Sequence, residues 1–157
     1  MLREEVGPND SAAVRGIVAS TGFFHDHEIE VAVELVDERL QKGLDSGYLF
    51  LFAEQEGRTV GYSCYGEIAC TQGSYDLYWI AVHEDFRGQG IGGRLLQKTE
   101  ELISQRQGRV IWVETSGQKK YLPTRKFYLG SGYREAALLE GFYADGDDKV
   151  VFVKRLG

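Results

Sequence analysis

A glycine-rich turn between an apolar strand and an amphipathic helix constrains the fold of this chain more than any other feature. The strand-like run Leu77–Val82 leads through four residues into Arg87-Gly88-Gln89-Gly90-Ile91-Gly92-Gly93. Glycines weaken a helix start, but they let the backbone approach a ligand closely, and the free N–H groups of a first helical turn attract anions. The turn therefore predicts a phosphate site, to which Arg87 can add a charge-assisted contact.

The rest of the chain predicts an α+β fold with one strand-helix-strand crossover, not a uniform repeat of that unit. Hydrophobic periodicity and capping residues predict helices at Asn9–Ser20, His27–Lys42, Ile91 to before Gly108, and Leu122–Leu129. Alternating apolar runs predict strands at Met1–Val6, Tyr48–Glu54, Thr59–Ala69, Tyr75–Val82, Val110–Glu114, Tyr133–Leu139 and Val150–Lys154. The strands before the glycine turn are expected to form an antiparallel meander.

Length and charge limit the partners that this chain can have. With 157 residues it is expected to form a single domain over residues 1–157. Its formal charge of −6 and its lack of a basic cluster argue against nucleic acid. No apolar run is long enough to cross a membrane, and the charged N-terminus lacks the features of a signal peptide. A cytoplasmic protein without membrane association is expected.

Two classes of cofactor compete for the glycine turn. The run from Gly88 to Gly93 satisfies the dinucleotide pattern G-x-G-x-x-G, and Glu114 ends the next strand about 20 residues on, where a ribose-binding acid would stand. However, four residues and Arg87 separate the strand from the turn, whereas a dinucleotide fingerprint follows its strand almost directly. The antiparallel strands and the short chain also argue against a dinucleotide-binding oxidoreductase.

Two motifs in the expected order resemble a known family. The pattern Arg87-x-x-Gly90-x-Gly92 resembles the acetyl-CoA motif of the GCN5-related N-acetyltransferase (GNAT) superfamily. The segment Tyr121-Leu-Pro-Thr-Arg-Lys-Phe127-Tyr128-Leu-Gly-Ser-Gly132-Tyr133 is similar to the family's downstream motif, although the family often has Asn where Tyr121 stands. The resemblance implies a central, mostly antiparallel sheet of about six or seven strands, a splayed parallel pair at the cofactor site, and helices on both faces.

The resemblance also implies which residues bind and which react. Cofactor contacts are expected at Ile80, Ala81, Val82, Arg87, Gly88, Gln89, Gly90, Ile91, Gly92, Gly93 and Tyr128. A backbone N–H of the strand that ends at Val82 would stabilise the oxyanion. Tyr128 would protonate the leaving thiolate. Glu114 and Asp76 are both candidate bases, since amine attack needs a proton acceptor. Glu114 is preferred, because some members of the family carry Glu at the position of the shorter Asp76, and a chain of water molecules is a further alternative.

The function implied is transfer of acetyl from acetyl-CoA, as co-substrate, to a primary amine. The amine attacks directly through a tetrahedral intermediate, with no metal and no covalent enzyme intermediate. The acceptor amine is open, and the resemblance implies a possible homodimer through edge strands near the C-terminus. A non-catalytic acyl-CoA-binding regulatory module would carry the same glycine turn, so it stays an alternative.

Overall fold

The computed structural model describes all residues from Met1 to Gly157 and contains seven strands and four α-helices. The helices are α1 (Asp10–Ser20), α2 (Asp26–Lys42), α3 (Ile91–Gln105) and α4 (Leu122–Gly130). The strands are β1 (Leu2–Arg3), β2 (Leu49–Gln55), β3 (Arg58–Glu67), β4 (Ser74–Val82), β5 (Val110–Ser116), β6 (Arg134–Ala144) and β7 (Asp147–Arg155). Every predicted element is present. The first strand is shorter than predicted, and β6 is longer.

The strands are hydrogen-bonded in the order β1-β2-β3-β4-β5-β7-β6. Strands β1 with β2, β2 with β3, β5 with β7, and β6 with β7 pair antiparallel, while β4 and β5 pair parallel. The parallel ladder consists of three residue pairs and ends at Asp76 and Trp112. The predicted α+β fold with a mostly antiparallel sheet and one parallel pair is confirmed. No helix in the structure combines the length and the apolarity that crossing a bilayer requires.

The chain packs as two compact units that share strand β4. The first unit comprises Met1–Gly66 and Leu77–Leu102, and the second comprises Glu67–Asp76 and Ile103–Gly157. The sequence-based expectation of a single domain stays a prediction.

In the first unit, α1 and α2 cover strands β2 and β3. Their shared core contains Val14, Ile17, Val18, Val33, Val36, Phe50, Phe52, Tyr62 and Cys64. The helical members recur at intervals of three and four residues, so they form one face of each helix. Helix α2 begins with a reciprocal capping box, in which the side chain of Glu28 accepts a hydrogen bond from the His25 N–H.

Helix α3 follows the glycine turn and buries the face that its periodicity predicts. The buried residues are Ile91, Leu95, Leu96, Thr99, Leu102 and Ile103. Gly61 of β3 permits this packing, because a Cβ there would lie 3.1 Å from Leu95 Cδ1 and 3.4 Å from Ile91 Cγ2. The hydroxyl groups of Ser63 and Thr99 form a buried hydrogen bond of 2.7 Å between β3 and α3. Close packing against β3 thus fixes the position of the helix start.

In the second unit, β5 and β7 bury one face and leave the other partly open. The buried side chains Ile111, Val113, Val150 and Phe152 occupy alternate positions. Because successive side chains in a strand point to opposite faces, the intervening residues form the second face. Their register pairs Trp112 with Val153, Glu114 with Val151, and Ser116 with Lys149.

Candidate active site

The glycine turn presents an open stretch of backbone at the start of α3. Gly88 and Gly90 have φ angles of 78° and 77°, in the left-handed region that glycine adopts without strain. A Cβ at Gly88, Gly90 or Gly93 would meet no atom within 4 Å, so no neighbouring group covers the turn. The first N–H groups of α3 lack helical partners by construction. The backbone therefore fits the phosphate oxygens of a bound cofactor.

The side chains of this turn are engaged with near neighbours. Arg87 Nη1 lies 3.1 Å from Glu84 Oε2, and both side chains are half exposed. Gln89 Oε1 accepts a hydrogen bond of 3.3 Å from Gln55 Nε2. His83 Nδ1 accepts a hydrogen bond from the Asp85 N–H, so His83 caps the short turn that precedes the glycines. Arg87 would have to exchange Glu84 for the anion that it is predicted to bind.

The three predicted cofactor-binding residues on β4 are the last three residues of that strand. Ile80, Ala81 and Val82 are partly buried. Ala81 packs against the core of the first unit, so Ile80 and Val82 point to the other face of the strand. The His83 N–H donates to the Val60 carbonyl across 2.8 Å, which holds the chain against β3 just before the turn. The oxyanion role of this segment stays a prediction.

Tyr128 lies on α4 in the second unit and is only 3% exposed. Its ring packs against the rings of Tyr133 and Phe152, with centroid distances of 5.5 and 5.8 Å. Burial raises the pKa of the Tyr128 hydroxyl well above its ordinary value, so the phenol is protonated at neutral pH. Arg125 Nη1 donates to the Ser116 and Gln118 carbonyls at 2.8 and 2.9 Å, which anchors α4 to the end of β5.

The two candidate bases lie on one face of the second unit. Asp76 pairs with Trp112 across the parallel ladder, and Glu114 is two residues beyond Trp112 on the same face. Burial raises the pKa of Asp76, the negative charge of Glu114 raises it further, and the positive charge of Lys149 lowers it. Lys149 is not among the site residues that the sequence predicts.

Lys149 completes this charged cluster. Its Nζ lies 3.1 Å from Glu114 Oε1 and 3.7 Å from the centroid of the Phe142 ring. Glu114 and Lys149 come from strands that are far apart in the sequence, and only the register between β5 and β7 brings them together. No local pattern around either residue could have indicated this pairing.

The acid and base candidates occupy opposite faces of the second unit. Tyr128 contacts Phe152, which alternates with Val151 along β7 and so faces away from Glu114, the residue that pairs with Val151. An active site that used both kinds of group would extend from one face of the sheet to the other. A sequence pattern does not contain this information, because it does not fix which face of the sheet α4 covers.

A cavity of about 510 Å³ in the first unit contains none of the predicted catalytic residues. It lies between α1 and the hairpin of β2 and β3, with Asn9, Gly16 and Thr59 among its lining residues. No group of three or more His, Cys, Asp or Glu side chains in the structure is arranged to hold a metal ion.

Comparison with known proteins identifies the family. A family model described as the acetyltransferase (GNAT) domain matches residues 46–135, which include the glycine turn, both candidate bases and Tyr128. The chain belongs to the GNAT family. Among curated proteins, the N-acetyltransferase MJ1530 of Methanocaldococcus jannaschii is 34% identical over 109 residues, which is 68% of this chain and 65% of that relative's length.

Solved structures agree with the assignment of this chain to the GNAT family. A crystal structure of a GNAT-family acetyltransferase from Desulfovibrio desulfuricans has a TM-score of 0.98 and 43% identity, over 100% of this chain and 99% of that one. An aminoglycoside 6′-N-acetyltransferase complexed with coenzyme A has a TM-score of 0.78 at 16% identity, over 100% of this chain and 97% of that one. At that identity, the second likeness shows the shared fold alone.

Proposed function

We propose that this GNAT protein transfers the acetyl group of acetyl-CoA to a primary amine by direct attack. The observation that supports this most directly is the open backbone of the glycine turn, with Gly88 and Gly90 at positive φ, at the start of α3. In this proposal, the N–H groups of the turn bind the cofactor pyrophosphate, and Arg87 adds a charge-assisted contact.

The chain's own side chains divide the proton transfers between them. Bound acetyl-CoA supplies a thioester, whose carbonyl carbon is the electrophile. An alkylammonium with a pKa near 10.4 must lose a proton before it can attack, and a carboxylate of Asp76 or Glu114 would take that proton. Tyr128 would donate a proton to the leaving sulfur. A backbone N–H of Ile80, Ala81 or Val82 would stabilise the oxyanion.

Calorimetric titration with acetyl-CoA and separately with NADH is the first test. We expect a heat of binding with acetyl-CoA and none with NADH. Release of CoA thiol on addition of a panel of primary amines would then establish turnover. Heat with NADH alone would favour the dinucleotide-binding oxidoreductase, while acetyl-CoA binding without thiol release would favour the non-catalytic regulatory module.

We further propose that the protein is cytoplasmic and forms a homodimer through β6. This strand ends the strand order, and all 11 of its residues are exposed, including the apolar side chains of Leu138, Leu139 and Phe142. Exposed edge strands of this length readily pair with another chain. Antiparallel pairing about a two-fold axis at Ala137 would place Arg134 opposite Glu140 of the partner subunit, once on each side of the axis.

Sedimentation equilibrium tests the homodimer. We expect the wild-type mass to be twice that of the chain and the mass of the Leu139→Lys variant to approach that of the monomer. A monomeric wild type would rule out the dimer and leave the proposed chemistry intact.

A further inference from the structure

We propose that Lys149 is a positioning residue that holds Glu114 in an ion pair and leaves Asp76 as the carboxylate that accepts the proton of the attacking amine. This inference rests on the proposed function and assigns the base within it. It reverses the preference for Glu114 that the family resemblance suggests.

The register of three strands brings these residues to one face. Asp76 of β4 pairs with Trp112 of β5. Glu114 is two positions further along β5, and Lys149 of β7 pairs with Ser116. Residues that pair directly across a ladder share a face, and diagonal neighbours lie within reach of long side chains. Lys149 therefore reaches Glu114 diagonally.

The ion pair between Lys149 and Glu114 is more than a solvated surface contact. The side chain of Lys149 is only 12% exposed, while that of Glu114 is 53% exposed. The ammonium group lies 3.1 Å from Glu114 Oε1 and 3.7 Å from the centroid of the Phe142 ring, so an anion and an aromatic face hold it together. Partial burial reduces solvent screening of this cation. Lys149 thus occupies Oε1 of Glu114, whereas no Lys or Arg nitrogen lies within ion-pair distance of Asp76.

Both members of the ion pair affect the pKa of Asp76. Burial raises its pKa, Glu114 of β5 raises it further, and Lys149 of β7 opposes that rise. A base whose pKa lies closer to the working pH transfers protons more effectively. Lys149 thus offsets part of the rise in the pKa of Asp76 that burial and Glu114 cause.

The proposed step is balanced in bonds and protons. The amine nitrogen forms a bond to the thioester carbonyl carbon, and an oxygen of Asp76 receives the proton that the nitrogen loses. The carbon–sulfur bond breaks, and the sulfur takes a proton from Tyr128. Lys149 and Glu114 exchange no proton with the substrate.

The test measures the ionisation of the Asp76 side chain directly. The side-chain carboxyl carbon of Asp76 is followed by ¹³C NMR as a function of pH and is assigned by its loss in Asp76→Asn. We expect the midpoint to move to higher pH in Lys149→Met, which removes a positive charge. It should move to lower pH in Glu114→Gln, which removes a negative charge, and should stay near the wild-type value in Lys149→Arg.

A matched control removes a lysine that has no contact with the cluster. Lys98 of α3 pairs with Glu101 across 3.3 Å, and Lys98→Met should leave the Asp76 midpoint unchanged. The acid limb of the pH profile of kcat/KM, which reports the free enzyme's essential base, should follow the NMR midpoint in every variant. A purely structural role of Lys149 would not produce shifts of opposite sign in Lys149→Met and Glu114→Gln.

Each outcome decides the assignment. A midpoint that does not move in Lys149→Met overturns the role of Lys149. A midpoint that moves while the acid limb stays fixed overturns the role of Asp76 as base. If the wild type releases no thiol with any amine, the proposed function fails and the base role fails with it, whereas the NMR titration still decides whether Lys149 controls the ionisation of Asp76.

Discussion

The glycine turn of the first unit and the charged face of the second unit consist of different chemical groups. The proposed binding at the turn uses backbone groups, because Gly88 and Gly90 expose the chain at the start of α3. The charged face depends on side chains, since Asp76, Glu114 and Lys149 come from three different strands. The backbone site needs glycine at fixed positions within a few residues, whereas the side-chain site needs only the correct register.

This difference explains why the sequence predicts the glycine turn more fully than it predicts the charged face. A backbone site leaves a short motif, since a positive φ angle excludes most residues. A side-chain cluster leaves no motif, because any carboxylate and any lysine on facing strands could form it. We therefore expect glycine substitutions in the turn to impair cofactor binding, and substitutions in the second unit to impair proton transfer.

The largest expected effect is that of Tyr128→Phe. Loss of the phenolic proton donor should lower kcat by about 100-fold or more, while acetyl-CoA affinity from calorimetry should stay near the wild-type value. Tyr75→Phe is the control, because Tyr75 is also a buried tyrosine of the second unit whose pKa burial raises. An unchanged kcat in Tyr128→Phe would show that the second unit does not supply the acid through Tyr128.

Substitution of Gly90 tests the backbone site. In Gly90→Ala, the left-handed conformation costs about 1 kcal/mol, and misalignment of one charge-assisted hydrogen bond should weaken acetyl-CoA binding about tenfold. Gly22→Ala is a matched control, since Gly22 has a φ of 72° and equally open surroundings. Both variants should lose similar stability in urea unfolding, but only Gly90→Ala should lose affinity. Equal affinities would argue against a backbone phosphate site.

Tyr62→Phe tests a tyrosine that is buried but has no predicted catalytic role. Tyr62 lies in the core of the first unit, and its hydroxyl has no hydrogen-bond partner. Removing this hydroxyl should raise the free energy of unfolding by about 1 kcal/mol and leave kcat unchanged, which is the reverse of the effect at Tyr128. A loss of stability would show that the hydroxyl has a partner.

Tyr62→Phe should also change how the stability of the protein depends on pH. Burial raises the pKa of Tyr62 well above its ordinary value, so the folded protein keeps this proton after the unfolded chain has lost it near pH 10. Stability should therefore fall as the pH rises above about 10, and the fall should be shallower in Tyr62→Phe.

The smallest expected effect is on the stability of Asp76→Asn. Burial raises the pKa of Asp76, so its charged form destabilises the folded state above the pKa of about 3.9 in the unfolded chain. Asp76→Asn should raise the free energy of unfolding at pH 7 by less than Tyr62→Phe does, because the group is only half buried. The gain should vanish near pH 3 in urea titrations. A gain that persists there would have a cause other than charge.

Periodicity and turn chemistry were sufficient to predict the elements and much of the fold. The six buried positions of α3, from Ile91 to Ile103, follow from helical spacing alone. The faces of the sheet did not follow from the sequence. Whether Tyr128 and Glu114 share a face depends on which side of β5 and β7 receives α4, and the partner of Glu114 depends on the register between β5 and β7. These are long-range choices that no local pattern encodes.

The close contact at Gly61 extends the cofactor site beyond its motif. A methyl group there would also lie 3.1 Å from the Ala81 carbonyl, on the strand that leads into the turn. Such a methyl group would require the Ala81 carbonyl and the side chains of Leu95 and Ile91 to shift by a few tenths of an ångström, so a larger residue would disturb the strand and the first turns of α3 together. In an engineering library, diversity at Gly61 would therefore be selected against for cofactor affinity, although Gly61 lies outside the glycine-rich turn.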